Sequence, residues 1–157
     1  MKAKLLGTAM LGVILASCSG ETNMPQANLP LNAAEVIQVE VKGNPQAYTF
    51  VVTVRSPDTG CEQYANWWEV VSLDGQLLYR RILLHSHVNE QPFTRSGGSV
   101  AIAADQEVIV RSHLHPSGYG NQGMRGSVAR GFETVTFPAE FASGLAQEEP
   151  LPNGCTF

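Results

Sequence analysis

Ile37-Gln38-Val39-Glu40-Val41-Lys42 and Tyr48-Thr49-Phe50-Val51-Val52-Thr53-Val54-Arg55 decide the fold class of this chain. In both stretches, apolar and polar residues alternate with a period of two. That period puts one face of an extended chain in a core and the other in water. Gly43-Asn44-Pro45 between them breaks the pattern and reads as a turn. The pair is therefore expected to form an antiparallel hairpin of half-buried strands.

Working outward from this hairpin, the same signals recur. Ser56-Pro57-Asp58-Thr59-Gly60 is a turn cluster. Residues 66–72, with Trp67 and Trp68, read as a third strand. Asp74-Gly75 then makes a tight hairpin into residues 76–88. Ser96-Gly97-Gly98 opens a short strand over 99–103, and Ala104-Asp105-Gln106 turns the chain into a strand over 107–115. A glycine-rich loop follows from Pro116 to Gly131, residues 132–137 form the last strand, and the tail after Pro138 reads as loop. About seven strands without an amphipathic helix predict an all-β, immunoglobulin-like antiparallel β-sandwich. The Trp pair fits such a core. A small barrel or jelly roll is the alternative.

Three segments are expected. Residues 1–17 carry Lys2 and Lys4, then an apolar run from Leu5 to Ala16, and then Ser17. This is the tripartite pattern of an export signal, and the run is too short to span a bilayer. Residues 18–34 contain Pro25 and Pro30 among polar residues and read as a tether. Residues 35–157 form the β domain. Leu15-Ala16-Ser17-Cys18 resembles the lipobox of bacterial lipoproteins. The resemblance implies cleavage before Cys18, lipidation of its thiol, and a bacterial cell-envelope location held by the lipid. Ser19 after the cysteine resembles the signal for outer-membrane rather than inner-membrane sorting in diderm bacteria. Two acyl chains hold a protein stably, at about 0.8 kcal/mol per buried methylene.

The formal net charge of the whole chain is −4. Loss of Lys2 and Lys4 with the leader leaves 8 basic against 14 acidic residues, a net charge of −6. An acidic surface with no basic run excludes nucleic acid as a partner and excludes a second, electrostatic hold on the membrane. The remaining partner classes are the membrane, reached through the N-terminal lipid, and a protein or small ligand of unknown identity. With Cys18 assigned to lipid, Cys61 and Cys155 remain, and an oxidising compartment makes them a disulfide pair. The alternative is two free thiols or a thiol metal ligand.

All four histidines lie in two His-x-His pairs, His85-Ser86-His87 and His113-Leu114-His115. On a strand, residues i and i+2 share a face. Each pair is therefore expected to present two imidazoles opposite an apolar face. If the two strands are neighbours, the four rings converge on a Zn or Cu site, with Glu90 as an oxygen donor. The competing reading is four ordinary surface residues and no cofactor. Arg95 is expected to pair with Glu90 or to donate to backbone carbonyls in the Glu90–Ser96 segment, which reads as a strand crossover. There is no Gly-x-Ser-x-Gly elbow, and no cysteine is left over to act as a nucleophile. The chain is read as non-enzymatic. The leading expectation is a lipid-anchored interaction or structural module, and the runner-up is a periplasmic metal-binding protein.

Tyr64-Ala65-x-x-Trp68-Glu69-Val70, Asp74-Gly75, His85-x-His87-Val88-x-Glu90-Gln91-Pro92-Phe93-Thr94-Arg95-Ser96, Val110-Arg111 and Gly118-Tyr119-Gly120 together resemble a group of uncharacterised bacterial exported proteins. The match spans about residues 36–137. It implies a small secreted β domain and carries no activity with it.

Overall fold

The computed structural model describes residues 32–138 and 140–156, so the expected leader, Cys18 and most of the tether lie outside the described residues. Among the described residues, nine strands form two antiparallel sheets: β1 (Glu35–Asn44), β2 (Ala47–Arg55), β3 (Tyr64–Ser72), β4 (Leu77–Ile82), β5 (Phe93–Val100), β6 (Val108–His115), β7 (Gly118–Tyr119), β8 (Gln122–Ser127) and β9 (Gly131–Thr136). The small sheet has the order β1-β2-β5. The large sheet has the order β4-β3-β6-β8-β9, with β7 paired to β6. The chain crosses between sheets after β2, β4 and β5, as in the Greek key of immunoglobulin-type sandwiches. The two sheets do not close into a barrel.

The opening hairpin forms, and β2 alternates as predicted; in β1 a register shift between Val36 and Gln38 buries Val36, while Ile37, Val39 and Val41 are half-buried. Tyr48, Phe50, Val52 and Val54 are buried, and Val36 and Val54 are register partners. Val70, Val108, Val110 and Leu114 meet this apolar face from the large sheet. Trp67 and Trp68 point to opposite faces of β3, because adjacent strand residues must. Trp68 is the core tryptophan. Its ring lies 5.7 Å from that of Tyr79. Gly75 has φ +89°, a conformation glycine adopts freely, and closes the β3–β4 turn.

Three boundaries differ from the sequence reading, and the strand count rises from about seven to nine. The strand expected over 76–88 stops at Ile82, so His85 and His87 lie in a loop. The expected crossover at Glu90–Ser96 contains the start of β5, and of the strand expected over 99–103 only Ser99 and Val100 are strand, as the end of β5. The loop expected from Pro116 to Gly131 holds β7 and β8. Gly118 (φ +94°) and Gly131 (φ +82°) turn the chain there, whereas Gly123 and Gly126 serve close packing. A Cβ on Gly126 would lie 1.9 Å from the Gly131 carbonyl oxygen, so only glycine lets β9 approach there.

Candidate functional site

Two polar clusters lie within this frame. The first is on the outer face of the large sheet. Glu69 stands in the middle of β3, and its register partners are Arg80 on β4 and Arg111 on β6. All three side chains are buried. Glu69 Oε2 accepts from Arg80 Nε at 2.9 Å and Nη2 at 2.6 Å, and Oε1 accepts from Arg111 Nε at 2.8 Å. The C-terminal segment after Pro138 closes over them. Arg80 also donates to the carbonyls of Leu145, Glu148 and Pro150, and Arg111 donates to those of Phe141 and Ala142. Each of the five Arg80 N–H groups thus has an acceptor. Aromatic rings line the rest of the cluster. Arg111 lies 3.6 Å from the Tyr119 ring centroid, and Arg80 lies 4.5 Å from that of Trp67.

His113 belongs to this cluster. Its ring stacks on Trp67 at 3.8 Å, and Nδ1 donates to Asn66 Oδ1 at 2.7 Å. Burial pulls its pKa down to about 3, and the charges of Arg80, His115 and Arg111 act in the same direction. Burial likewise pushes the Tyr119 phenol up to about 12. His115 follows at the exposed end of β6, its ring 5.9 Å from that of Tyr64. Cys61 and Cys155 form a disulfide with Cα atoms 5.5 Å apart, as the cysteine count predicts. It fastens the end of the covering segment to the β2–β3 turn.

The second cluster occupies the loop between β4 and β5. His87 is buried and lies flat on Phe93, with centroids 3.8 Å apart and planes 9° apart. The His87 backbone is held at both ends. Its N–H donates to Asp58 Oδ2, and its carbonyl accepts from the Glu90 N–H and from Gln91 Nε2. Asp58 in turn accepts from Ser56 Oγ and the Ala65 N–H, which ties this loop to the β2–β3 turn. Yet among the described residues both His87 ring nitrogens and the neighbouring Ser86 Oγ are buried without a hydrogen-bond partner, Nδ1 standing 3.9 Å from Asp58 Oδ2. Each such group costs about 1–3 kcal/mol. Burial lowers the His87 pKa, reinforced by Arg95 and His85 and opposed by Asp58 and Glu90, so the ring favours its neutral form. The His85 ring centroid is 4.6 Å away. Glu90 and Arg95 form the expected ion pair at 2.7 and 3.0 Å, and this hydrogen-bonded arginine holds the Glu90 carboxyl below its usual range.

The two histidine pairs do not converge. Strand β3 lies between β4 and β6. His87 packs on Phe93, whereas His113 packs on Trp67 on the far face of the large sheet. The expectation of one site built from His85, His87, His113 and His115 is therefore corrected: the first pair does not lie on a strand, and the two pairs occupy separate clusters. Among the described residues, no group of three or more His, Cys, Asp or Glu side chains is arranged to hold a metal ion. Sequence reasoning named Glu69 and Arg111 only among the residues of the resemblance, did not single out Arg80, and gave none of the three a role. The available signal was a glutamate inside the apolar run Trp67-Trp68-Glu69-Val70-Val71, because a carboxylate there requires a buried cation on an adjacent strand.

Among the described residues, no helix is long and apolar enough to cross a membrane. The chain is similar to a protein of Halomicrobium mukohataei named "Putative lipoprotein", with 37% identity over 123 residues. The match covers 75% of this chain and 61% of that protein, so the chain spans about three-fifths of its relative's length. No family model matches the chain, and no solved structure matches it.

Proposed function

We propose that this chain is a lipid-anchored lipoprotein of the cell envelope, and that its β-sandwich works there as a non-catalytic interaction or structural module. Cys18 carries the reading. It ends a short apolar run behind Lys2 and Lys4, where a lipobox cysteine belongs. Two further observations support it. The relative is named as a lipoprotein, and the disulfide suits an oxidising compartment. The Glu69 cluster spends its donors on the chain's own carbonyls, which favours a structural role over catalysis. In a cell with two membranes, Ser19 directs the protein to the outer one. Lipid then holds the chain at residue 18, and the tether reaches β1 at Glu35.

The test is fractionation of the full-length protein and of Cys18→Ser, with feeding of an alkyne-tagged fatty acid. The wild type is expected to take the label and remain with membranes through a carbonate wash, while Cys18→Ser is unlabelled and soluble. An unlabelled wild type, or a variant that stays membrane-bound, overturns the reading. Density separation of the two membranes then tests the sorting assignment.

A further inference from the structure

The geometry points to a transition-metal site in the β4–β5 loop, where His85 and His87 bind one Cu(II) or Zn(II) ion and Glu90 swings from Arg95 to become the third donor. Three observations carry it. Buried polar groups nearly always find a partner, yet three of the six buried side-chain atoms without one, among the described residues, fall on Ser86 and His87. Second, two imidazoles on one ion at about 2.0–2.1 Å hold their centroids roughly 4.6–5.3 Å apart. His85 and His87 stand at 4.6 Å. Third, the His87 backbone is pinned by Asp58, Glu90 and Gln91, so one ligand is positioned before the ion arrives, while His85 is exposed and free to turn.

Imidazole nitrogen suits Cu and Zn better than Mg or Ca, which take oxygen. The Arg95 guanidinium opposes a cation, and the carboxylates of Glu90 and Asp58 offset it. Arg95 therefore acts as a stopper on the third ligand: it occupies Glu90 in the free protein and releases it on binding. The site is independent of the lipid anchor, because none of its residues lies in the leader or tether.

The experiment uses full-length protein without a histidine tag, stripped with chelator and titrated with CuCl2 and with ZnCl2 by calorimetry. Copper paramagnetic resonance counts the bound nitrogens. One ion per chain is expected, with two imidazole nitrogens on copper. His85→Ala is expected to weaken binding by about 10-fold or more, since it removes a direct ligand, whereas loss of an outer-shell partner already costs about 10–100-fold. This exposed change leaves the fold intact, which circular dichroism checks. Glu90→Gln weakens binding several-fold, Arg95→Gln strengthens it, and His115→Ala leaves it unchanged. The proposal is overturned if neither metal binds at about 100 µM, if His85→Ala binds as well as the wild type, or if His115→Ala loses as much as His85→Ala.

Discussion

The cluster around Glu69 and the cluster around His87 are built from similar residues and bonded in opposite ways. Around Glu69, two guanidiniums, one carboxylate and five tail carbonyls satisfy one another under cover. Around His87, an imidazole is buried with neither nitrogen hydrogen-bonded among the described residues. A completed buried network rigidifies a fold, whereas an incomplete one leaves room for a further partner. The difference separates architecture from candidate function on one molecule.

The strongest way to break this comparison is to remove the centre of the completed cluster. Glu69→Gln leaves two buried guanidiniums without their counter-charge. Breaking a buried pair from one side costs about 3–5 kcal/mol, and the melting temperature is expected to fall by roughly 10 °C or more. Thermal unfolding followed by circular dichroism measures this. A shift of only a degree or two means that the cluster is solvated and that its cover is not closed.

The disulfide comes next, because it fastens that cover. Its ends are 94 residues apart in sequence, and closing such a loop in the unfolded chain is worth about 4–5 kcal/mol before any strain. Cys61→Ser with Cys155→Ser is expected to lose about 2–5 kcal/mol. Trp67 sits beneath the covering segment and Trp68 in the core. Loosening the cover should therefore red-shift part of the tryptophan emission before global unfolding. If stability drops but the emission shifts only at the main transition, the cover and the sandwich unfold as one unit.

The reason the sequence disclosed one cluster better than the other is physical. Period two is an apolar signal, and it found β1 and β2 because water covers one side of each. It was silent on Glu69 because both faces of β3 are buried: eight of its nine residues are buried and do not alternate. The second cover comes from residues after Pro138, which carry no strand or helix period and so read as loop. Cross-strand register links Glu69 to Arg80 and Arg111, and register is absent from a single sequence. The His-x-His pairs were visible as residues. Their separation depended on where β4 ends and on which sheet neighbour β6 takes, and neither is local.

Acid offers a graded test of the same contrast. His113 is folded in its neutral form with a pKa of about 3, against 6.5 for the free side chain. Above pH 6.5 neither state takes a proton, and the contribution to stability is fully present. As the pH falls below that value, the unfolded chain binds the proton and the folded chain does not, so stability declines toward pH 3. By pH 5 the loss is about 2 kcal/mol for this one group. His87 titrates in the same direction. Urea unfolding between pH 7.5 and 5 reads the slope, and His113→Phe should flatten it. A slope unchanged in that variant moves the effect to His87 and shows that the loop cluster is the acid-sensitive one.

The smallest effect is expected where the geometry looks the same. Arg80 meets Glu69 at 2.6 Å with both side chains fully buried, and Arg95 meets Glu90 at 2.7 Å with side-chain exposures of 28% and 56%. Distance alone would rank the two pairs as equals. Water screens the second pair and solvates either partner once the other is gone, so exposed pairs contribute little to stability. Glu90→Gln should lower the melting temperature by about 3 °C at most. If it costs as much as Glu69→Gln, the loop is held together by its ion pair rather than by Phe93 and Asp58, and Glu90 is not free to leave Arg95 for an ion. A small stability change beside a clear loss of metal affinity would separate the two roles a Glu–Arg pair plays in this protein.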